Sequence, residues 1–464
     1  MPTDSDLRSA CHGLPPLPAR LEPWMGETLS DPAAVSDLVR DDAPTNLHEV
    51  GPFGRNVREL QSAAGDCGVR LNVFMARKAD KCLAYVAEAN RLGVGVDVAG
   101  TNELRQTLEA GTPPDRVICT AAVKSRSLIA ECVRSGVTAA IDNLDELDRF
   151  AAEAESQGRD APVAVRAARF THGGRTLPSR FGFDVGEVAA VAGRLAGTRL
   201  RLEGLHFHLD GYDGPQRVSA AAKCLDLVPR LRDAGHAVRF LDIGGGIPMS
   251  YVENESDWTA FWNALEADPA AVTVDGTRFR RGEGKSVYPY WQSPTRGEWL
   301  RRVLSADAGG GSLAGRVNGL GVELRCEPGR SLFDGCGVTL ARVEYRKPDR
   351  VTGGGGLLVG LAMNRTQCRT TSEDFLVDPL LVPCGGERSE PADAALVGAY
   401  CMESEFLTKR RFRLPRGVAV GDVVAFPNTA GYMMHFLESR SHQFPLAPNL
   451  VRGDGWQADA VDAV

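Results

Sequence analysis

A lysine stands where a buried strand ends. In LNVFMARKADKC the apolar run from Leu71 to Ala76 gives way to Arg77, Lys78, Ala79 and Asp80, and a helical pattern follows. Further along, His206 and His208 sit in GLHFHL, three glycines (Gly244, Gly245, Gly246) follow VRFLDI, and Glu327, Pro328, Gly329 and Arg330 follow GVELRC. A free amine condenses with an aldehyde, and glycines let backbone N–H groups approach a phosphate because no Cβ intervenes. A flat imidazole covers an aromatic ring, and a carboxylate partners a pyridine nitrogen. These are the demands of pyridoxal 5'-phosphate, so the set points to that cofactor although each member alone has a plainer reading as turn, core residue or solvated charge.

The elements that must position these groups alternate. Eight runs rich in Val, Ile, Leu and Phe occur at 71–76, 94–98, 116–120, 138–143, 163–167, 202–209, 238–245 and 321–329, with Ala/Leu/Glu/Arg stretches of helical period between them, several closed by a glycine. This alternation predicts a (β/α)8, TIM-like barrel, whose active face gathers the residues at the strands' C-terminal ends. Those residues are Lys78, Asp97, Thr120, Asn143, Arg166, His206 with His208, the triple glycine, and Glu327 to Arg330. The last two groups fall where barrels commonly hold a phosphate.

After residue 335 short alternating runs separated by Gly and Pro predict a mainly β C-terminal domain over 336–464. The barrel is expected over 46–335, and the proline-rich segment 1–45 is expected to be partly irregular and to add a strand to the β domain. Residues 249–320, with Trp258, Trp262, Trp291, Trp299 and the basic RFRRGEGK, exceed one barrel connection and read as an insertion over the active face. A net charge of −7 in 464 residues leaves no basic footprint for nucleic acid. No apolar run of membrane-spanning length and no leader-like order occurs, so no membrane partner and a cytoplasmic location are expected. The 11 cysteines are scattered singly, which indicates neither a disulfide framework nor a metal site.

ARKAD, GVDVAGTNEL, SRFGF, GLHFHL, DIGGGIP, EPGRS, YCMES and NTAGY, in this order, resemble the motifs of the fold-type III pyridoxal-phosphate decarboxylases, the ornithine and diaminopimelate decarboxylase-like family, over residues 70–445. The resemblance implies a barrel with a β domain of the alanine racemase and decarboxylase type. It makes Lys78 the Schiff-base lysine, His208 the histidine stacked on the ring with His206 beside it, and Gly244–Gly246 with Gly329, Arg330 and Tyr432 the phosphate site. Asp97 and Glu103 match acidic positions near the lysine, and Arg166 joins the cofactor-binding set. Glu327 matches the partner of the pyridine nitrogen. A carboxylate keeps that nitrogen protonated, which favours loss of CO2 from Cα over the alternative, racemisation or epimerisation. Cys401 matches a cysteine that reaches across a homodimer interface to protonate Cα. A barrel that merely carries the cofactor is a third reading, opposed by the second domain.

The chain also departs from the family. Asp210 and Gly211 replace a Gly-Ser that follows the stacking histidine, Met402 separates Cys401 from Glu403, and MNRTQCRTTSEDF replaces the segment that supplies an arginine to a distal carboxylate, leaving Arg365 and Arg369 as candidates. The expected substrate is therefore an amino acid other than diaminopimelate, in the manner of secondary-metabolism decarboxylases, siderophore pathways included, that act on conjugated or carrier-bound amino acids. Arg365, Arg369, Glu403 and the RFRR cluster are the expected substrate contacts, favouring an acidic tail.

Overall fold

The computed structural model describes residues 4–280, 287–370 and 375–463, so Arg281 of the RFRR cluster and part of the MNRTQCRTTSEDF segment lie outside the described residues. Two compact units divide the chain: Gly54–Pro248 with Pro294–Leu332, and Met1–Phe53 with Met249–Ser293 and Phe333–Val464.

The first unit is the barrel. Its strands are β1 (Leu71–Ala76), β2 (Gly95–Val98), β3 (Val117–Cys119), β4 (Thr138–Ile141), β5 (Ala161–Ala168), β6 (Leu200–His206), β7 (Phe240–Asp242) and β8 (Glu323–Cys326). Each pairs in parallel with its successor, and β8 pairs with β1 to close the ring, with Leu324 opposite Leu71. The intervening helices bear their start and stop signals in the sequence. Ser125 and Asn143 accept hydrogen bonds from the backbone N–H groups of Leu128 and Glu146, and left-handed Gly93 and Gly158 end Leu83–Leu92 and Leu144–Gln157.

Three strands stop three residues short of the C-terminal ends of their apolar runs. β6 stops at His206, leaving His208 on the following loop; β7 stops before the glycines, two of which have positive φ; β8 stops where Pro328 cannot donate to a ladder. The truncations leave the candidate site residues on turns just beyond the strand ends.

Behind β4, Lys124 is fully buried against Glu146 at 2.8 Å and donates also to the carbonyls of Ala121 and Ala140 at 3.0 and 2.7 Å. Lys124→Met leaves the Glu146 carboxylate buried without its cation. Loss of about 3–5 kcal/mol of stability is expected, read from urea denaturation midpoints.

The second unit is built on a ten-stranded sheet in which Thr45–His48 pairs antiparallel with Gly337–Pro348 and parallel with Asn449–Arg452. Leu47, Val338, Leu340, Leu380, Val423 and Ala425 form its core together with Trp24 and Met25. The N-terminal segment is more regular than its prolines led us to expect: Pro23 and Pro32 open the helices Pro23–Leu29 and Pro32–Leu38, where a missing N–H goes unused.

The stretch expected as one insertion, 249–320, is split between the units. Residues 249–293, which include Trp258, Trp262 and Trp291, belong with the β sheet, where Val274 donates to Lys409 O at 2.8 Å and Arg411 donates to Thr273 and Val274 carbonyls. Residues 294–320 supply the barrel helices Arg296–Ser305 and Leu313–Leu320, and Trp299 donates from Nε1 to Tyr212 O at 2.9 Å. Apolar content decided this division: Trp299, Leu300, Val303 and Leu304 are buried within the barrel unit.

Candidate active site

The chemistry-bearing groups of the barrel cluster at the C-terminal ends of the strands and on the turns that follow them. Lys78, on a single helical turn (Arg77–Ala79) directly after β1, places Nζ 2.7 Å from Asp97 Oδ2; Asp97 is buried, whereas the lysine side chain is 34% exposed. Thr120 donates to the other oxygen of Asp97 at 2.5 Å. The register of β1 to β2, which sets Ala76 opposite Asp97, brings amine and carboxylate together. Glu103, in the first turn of the next helix, accepts from Ala99 N–H at 2.6 Å, and burial raises its pKa.

Continuing round the ring to the strand that closes on β1, β6, β7 and β8 deliver His206, Asp242 and Glu327. His206 Nε2 lies 3.3 Å from Glu327 Oε1, and all three side chains are buried. Burial pushes Glu327 up to about 8, with Asp97 adding to the rise, and pushes Asp242 up to about 8, with Glu327 adding to it. Burial lowers His206 to about 4, so it is neutral near pH 7. Two adjacent carboxyl groups in a dry setting share a proton more readily than both ionise. Glu327 Oε1 and Asp242 Oδ2 are buried with no backbone or amide donor on them among the described residues, so a protonated ring nitrogen would find an acceptor here.

His208 lies just past β6, and its Nδ1 accepts from Gly245 N–H at 3.2 Å, which fixes the ring and its tautomer. Burial, with the Arg217, Lys78 and Arg166 charges, lowers its pKa well below the usual histidine range. Gly244 and Gly246 have φ of 68° and 72°, and a Cβ on Gly245 would lie 2.7 Å from Glu327 O. Only glycine satisfies both the backbone and the space here, and the result is a close-walled loop fit to receive a phosphate. Arg166 on β5 is buried, 3.4 Å from Asp142 and 4.3 Å from the centre of the Phe181 ring. Gly329 and Arg330 occupy the turn after β8, where Leu332 N–H donates to Gly329 O.

The remaining candidates belong to the β-rich unit. Cys401 is the one exposed cysteine, Tyr432 has a positive φ of 74°, and Glu403 is exposed. The buried carboxylate of that segment is Glu405: it accepts from Arg365 N–H at 2.8 Å and lies 3.5 Å from Arg365 Nε. Arg369 donates to the carbonyls of Phe406 and Leu407 at 3.3 Å. Asp242 and Glu405 were given no role from sequence. Asp242 had a legible signal, an acidic residue directly before the triple glycine, whereas nothing local separated Glu405 from Glu403.

Residues 53–271 match the family model "Pyridoxal-dependent decarboxylase, pyridoxal binding domain". The uncharacterized protein y4yA of Sinorhizobium fredii is 29% identical over 94% of this chain and 93% of its own length. A diaminopimelate decarboxylase of Pseudomonas aeruginosa is 27% identical over 88% of this chain and 87% of its own. Among solved structures, diaminopimelate decarboxylase from Helicobacter pylori complexed with L-lysine superposes with a TM-score of 0.67 at 19% identity, covering 91% of this chain and 95% of that one. Lysine decarboxylase from Selenomonas ruminantium gives 0.67 at 17% identity, covering 93% and 96%.

The closed barrel and the pyridoxal-binding match over 53–271 make the chain similar to the fold-type III pyridoxal-phosphate-dependent decarboxylases. Its pyridoxal-binding match and its diaminopimelate decarboxylase relatives are those of pyridoxal-phosphate-dependent carboxy-lyases. No described helix is long and apolar enough to cross a membrane.

Proposed function

We propose that this carboxy-lyase removes the α-carboxylate of an amino acid or amino-acid conjugate other than diaminopimelate. When bound, pyridoxal phosphate supplies a conjugated sink for the electron pair left at Cα as CO2 departs. Lys78 holds the cofactor through Nζ, and Asp97, itself steadied by Thr120, orients that amine. Glu327 keeps a proton at the pyridine nitrogen, and Asp242 and His206 shield the pair from water. His208 covers one ring face in the orientation that Gly245 imposes. Gly244–Gly246, Gly329, Arg330 and Tyr432 hold the phosphate. Cys401 of a second copy delivers the proton to Cα, so the working form is a homodimer; its exposure within one chain supports that assignment.

The observation that carries the substrate reading is the engagement of Arg365 by buried Glu405. A guanidinium already facing a carboxylate is poorly placed to bind a second, distal one, and Arg369 is occupied by main-chain carbonyls. A conjugated or carrier-bound amino acid suits such a site better than a bare diacid. The test is CO2 release by the purified enzyme from diaminopimelate, ornithine, lysine, arginine and acylated or carrier-linked amino acids, with product mass confirming loss of one CO2. We expect kcat/KM for diaminopimelate at least about 100-fold below that of the best substrate, the scale of one mismatched charged contact. Diaminopimelate as best substrate overturns the proposal.

A further inference from the structure

One buried cation of the barrel makes no ion pair among the described residues and feels the carboxylates of Asp213 and Asp210 only at longer range. Arg217 occupies the first turn of the helix Gly214–Asp233 and is 1% exposed. Its Nη2 donates to the carbonyls of Gly211 and Gly246, each at 3.1 Å. Nε and Nη1 are buried and have no hydrogen-bond partner among the described residues, and no carboxylate among them forms an ion pair with it. The acidic residue nearest in sequence, Asp213, is occupied by capping the helix at Gln216 N–H. The Trp299 ring centre lies 5.7 Å from Cζ.

The guanidinium abuts the triple glycine: a Cβ on Gly246 would fall 1.8 Å from Nη2 and 3.1 Å from Cζ. Burial without a partner is costly enough to pull its pKa down to about 10. Backbone carbonyls satisfy one nitrogen and leave two nitrogens and a full positive charge beside a glycine loop whose Gly244 and Gly245 N–H groups already donate to Asp242 and His208. An anion of high charge density is the ligand that offsets this burial, and a phosphate monoester has both the charge and the acceptor oxygens.

We infer that Arg217 is a phosphate-anchoring residue of the cofactor site, supplying from behind the Gly244–Gly246 loop a charge that the loop's N–H groups cannot. The inference rests on reading that loop as the phosphate site. Arg217 then has two tasks. Through Nη2 it ties Gly211 to Gly246, and through its charge it sets the preference for phosphorylated over unphosphorylated cofactor.

The test titrates the full-length protein, stripped of cofactor, with pyridoxal phosphate and separately with pyridoxal, following visible absorbance, for wild type, Arg217→Gln and Arg217→Lys. Glutamine keeps a donor for the carbonyls but removes the charge; lysine keeps the charge and removes the planar fork. In R217Q pyridoxal phosphate binding should weaken by roughly 10- to 100-fold, the scale of a charge-assisted hydrogen bond, with pyridoxal affinity held within about twofold. R217K should fall between. A second readout is independent of the ring: inorganic phosphate should raise the melting temperature of wild type and not of R217Q. Equal losses for both ligands would make Arg217 a loop clamp alone and overturn the inference, as would unchanged affinities. If wild type itself takes up both ligands equally, the phosphate-loop reading falls and Arg217 with it; if wild type discriminates and R217Q does so equally, only the Arg217 assignment falls.

Discussion

Lys78→Ala is expected to abolish CO2 release, with kcat/KM falling by about 10^4-fold or more, the scale at which loss of a covalent catalytic group is felt. Borohydride treatment of the cofactor-loaded wild type is expected to attach the cofactor's mass to the peptide containing Lys78, and no such labelled peptide is expected in the variant. The fold survives the change, because Asp97 retains the Thr120 hydroxyl at 2.5 Å and the lysine side chain is one-third exposed. Circular dichroism and the urea midpoint should therefore match wild type closely. A labelled peptide elsewhere in the chain, or full activity in the variant, would sink the assignment.

Glu327→Gln is expected to leave the cofactor bound but to lower kcat by about 10^2- to 10^3-fold, the usual cost of removing one preorganised charged group from a dry site. An amide cannot keep a proton on the pyridine nitrogen, so the electron sink weakens while Lys78 and the phosphate loop still hold the ring. The same residue makes a stability prediction. Burial raises both Glu327 and Asp242 to about 8, so the folded chain favours their protonated forms more than the unfolded chain does. Stability from this source is complete below the ordinary carboxylate pKa, about 4, and is lost as pH rises toward the folded value. The melting temperature of cofactor-free wild type should thus fall from pH about 5 to about 9, and E327Q should flatten that fall. A steeper fall in E327Q contradicts the shared-proton reading of the pair.

Much of this was legible in the chain itself. The alternation of apolar runs with helical stretches implied a barrel because burying eight strands on both faces demands near-continuous apolar segments. Lys78, the triple glycine and Glu327 stood out because each follows such a run, where the fold must expose it at one rim. Strand lengths were less legible: hydrophobicity extends through His208 and through Ile243, but backbone pairing ends sooner, since positive-φ glycines and Pro328 cannot continue a ladder.

What sequence by itself determined is the set of reactive groups and the period that lines them up, since both are local properties of the chain. Tertiary structure decided the rest. It set Asp242 against Glu327, and their mutual burial creates the protonation state that neither residue has alone. It paired Arg365 with the buried Glu405 and left Glu403, an expected substrate contact, exposed. It buried Arg217 behind glycines that lie 27 to 29 positions onward in the chain. Charge and desolvation act through space, and the distances that govern them exist only once the barrel has closed.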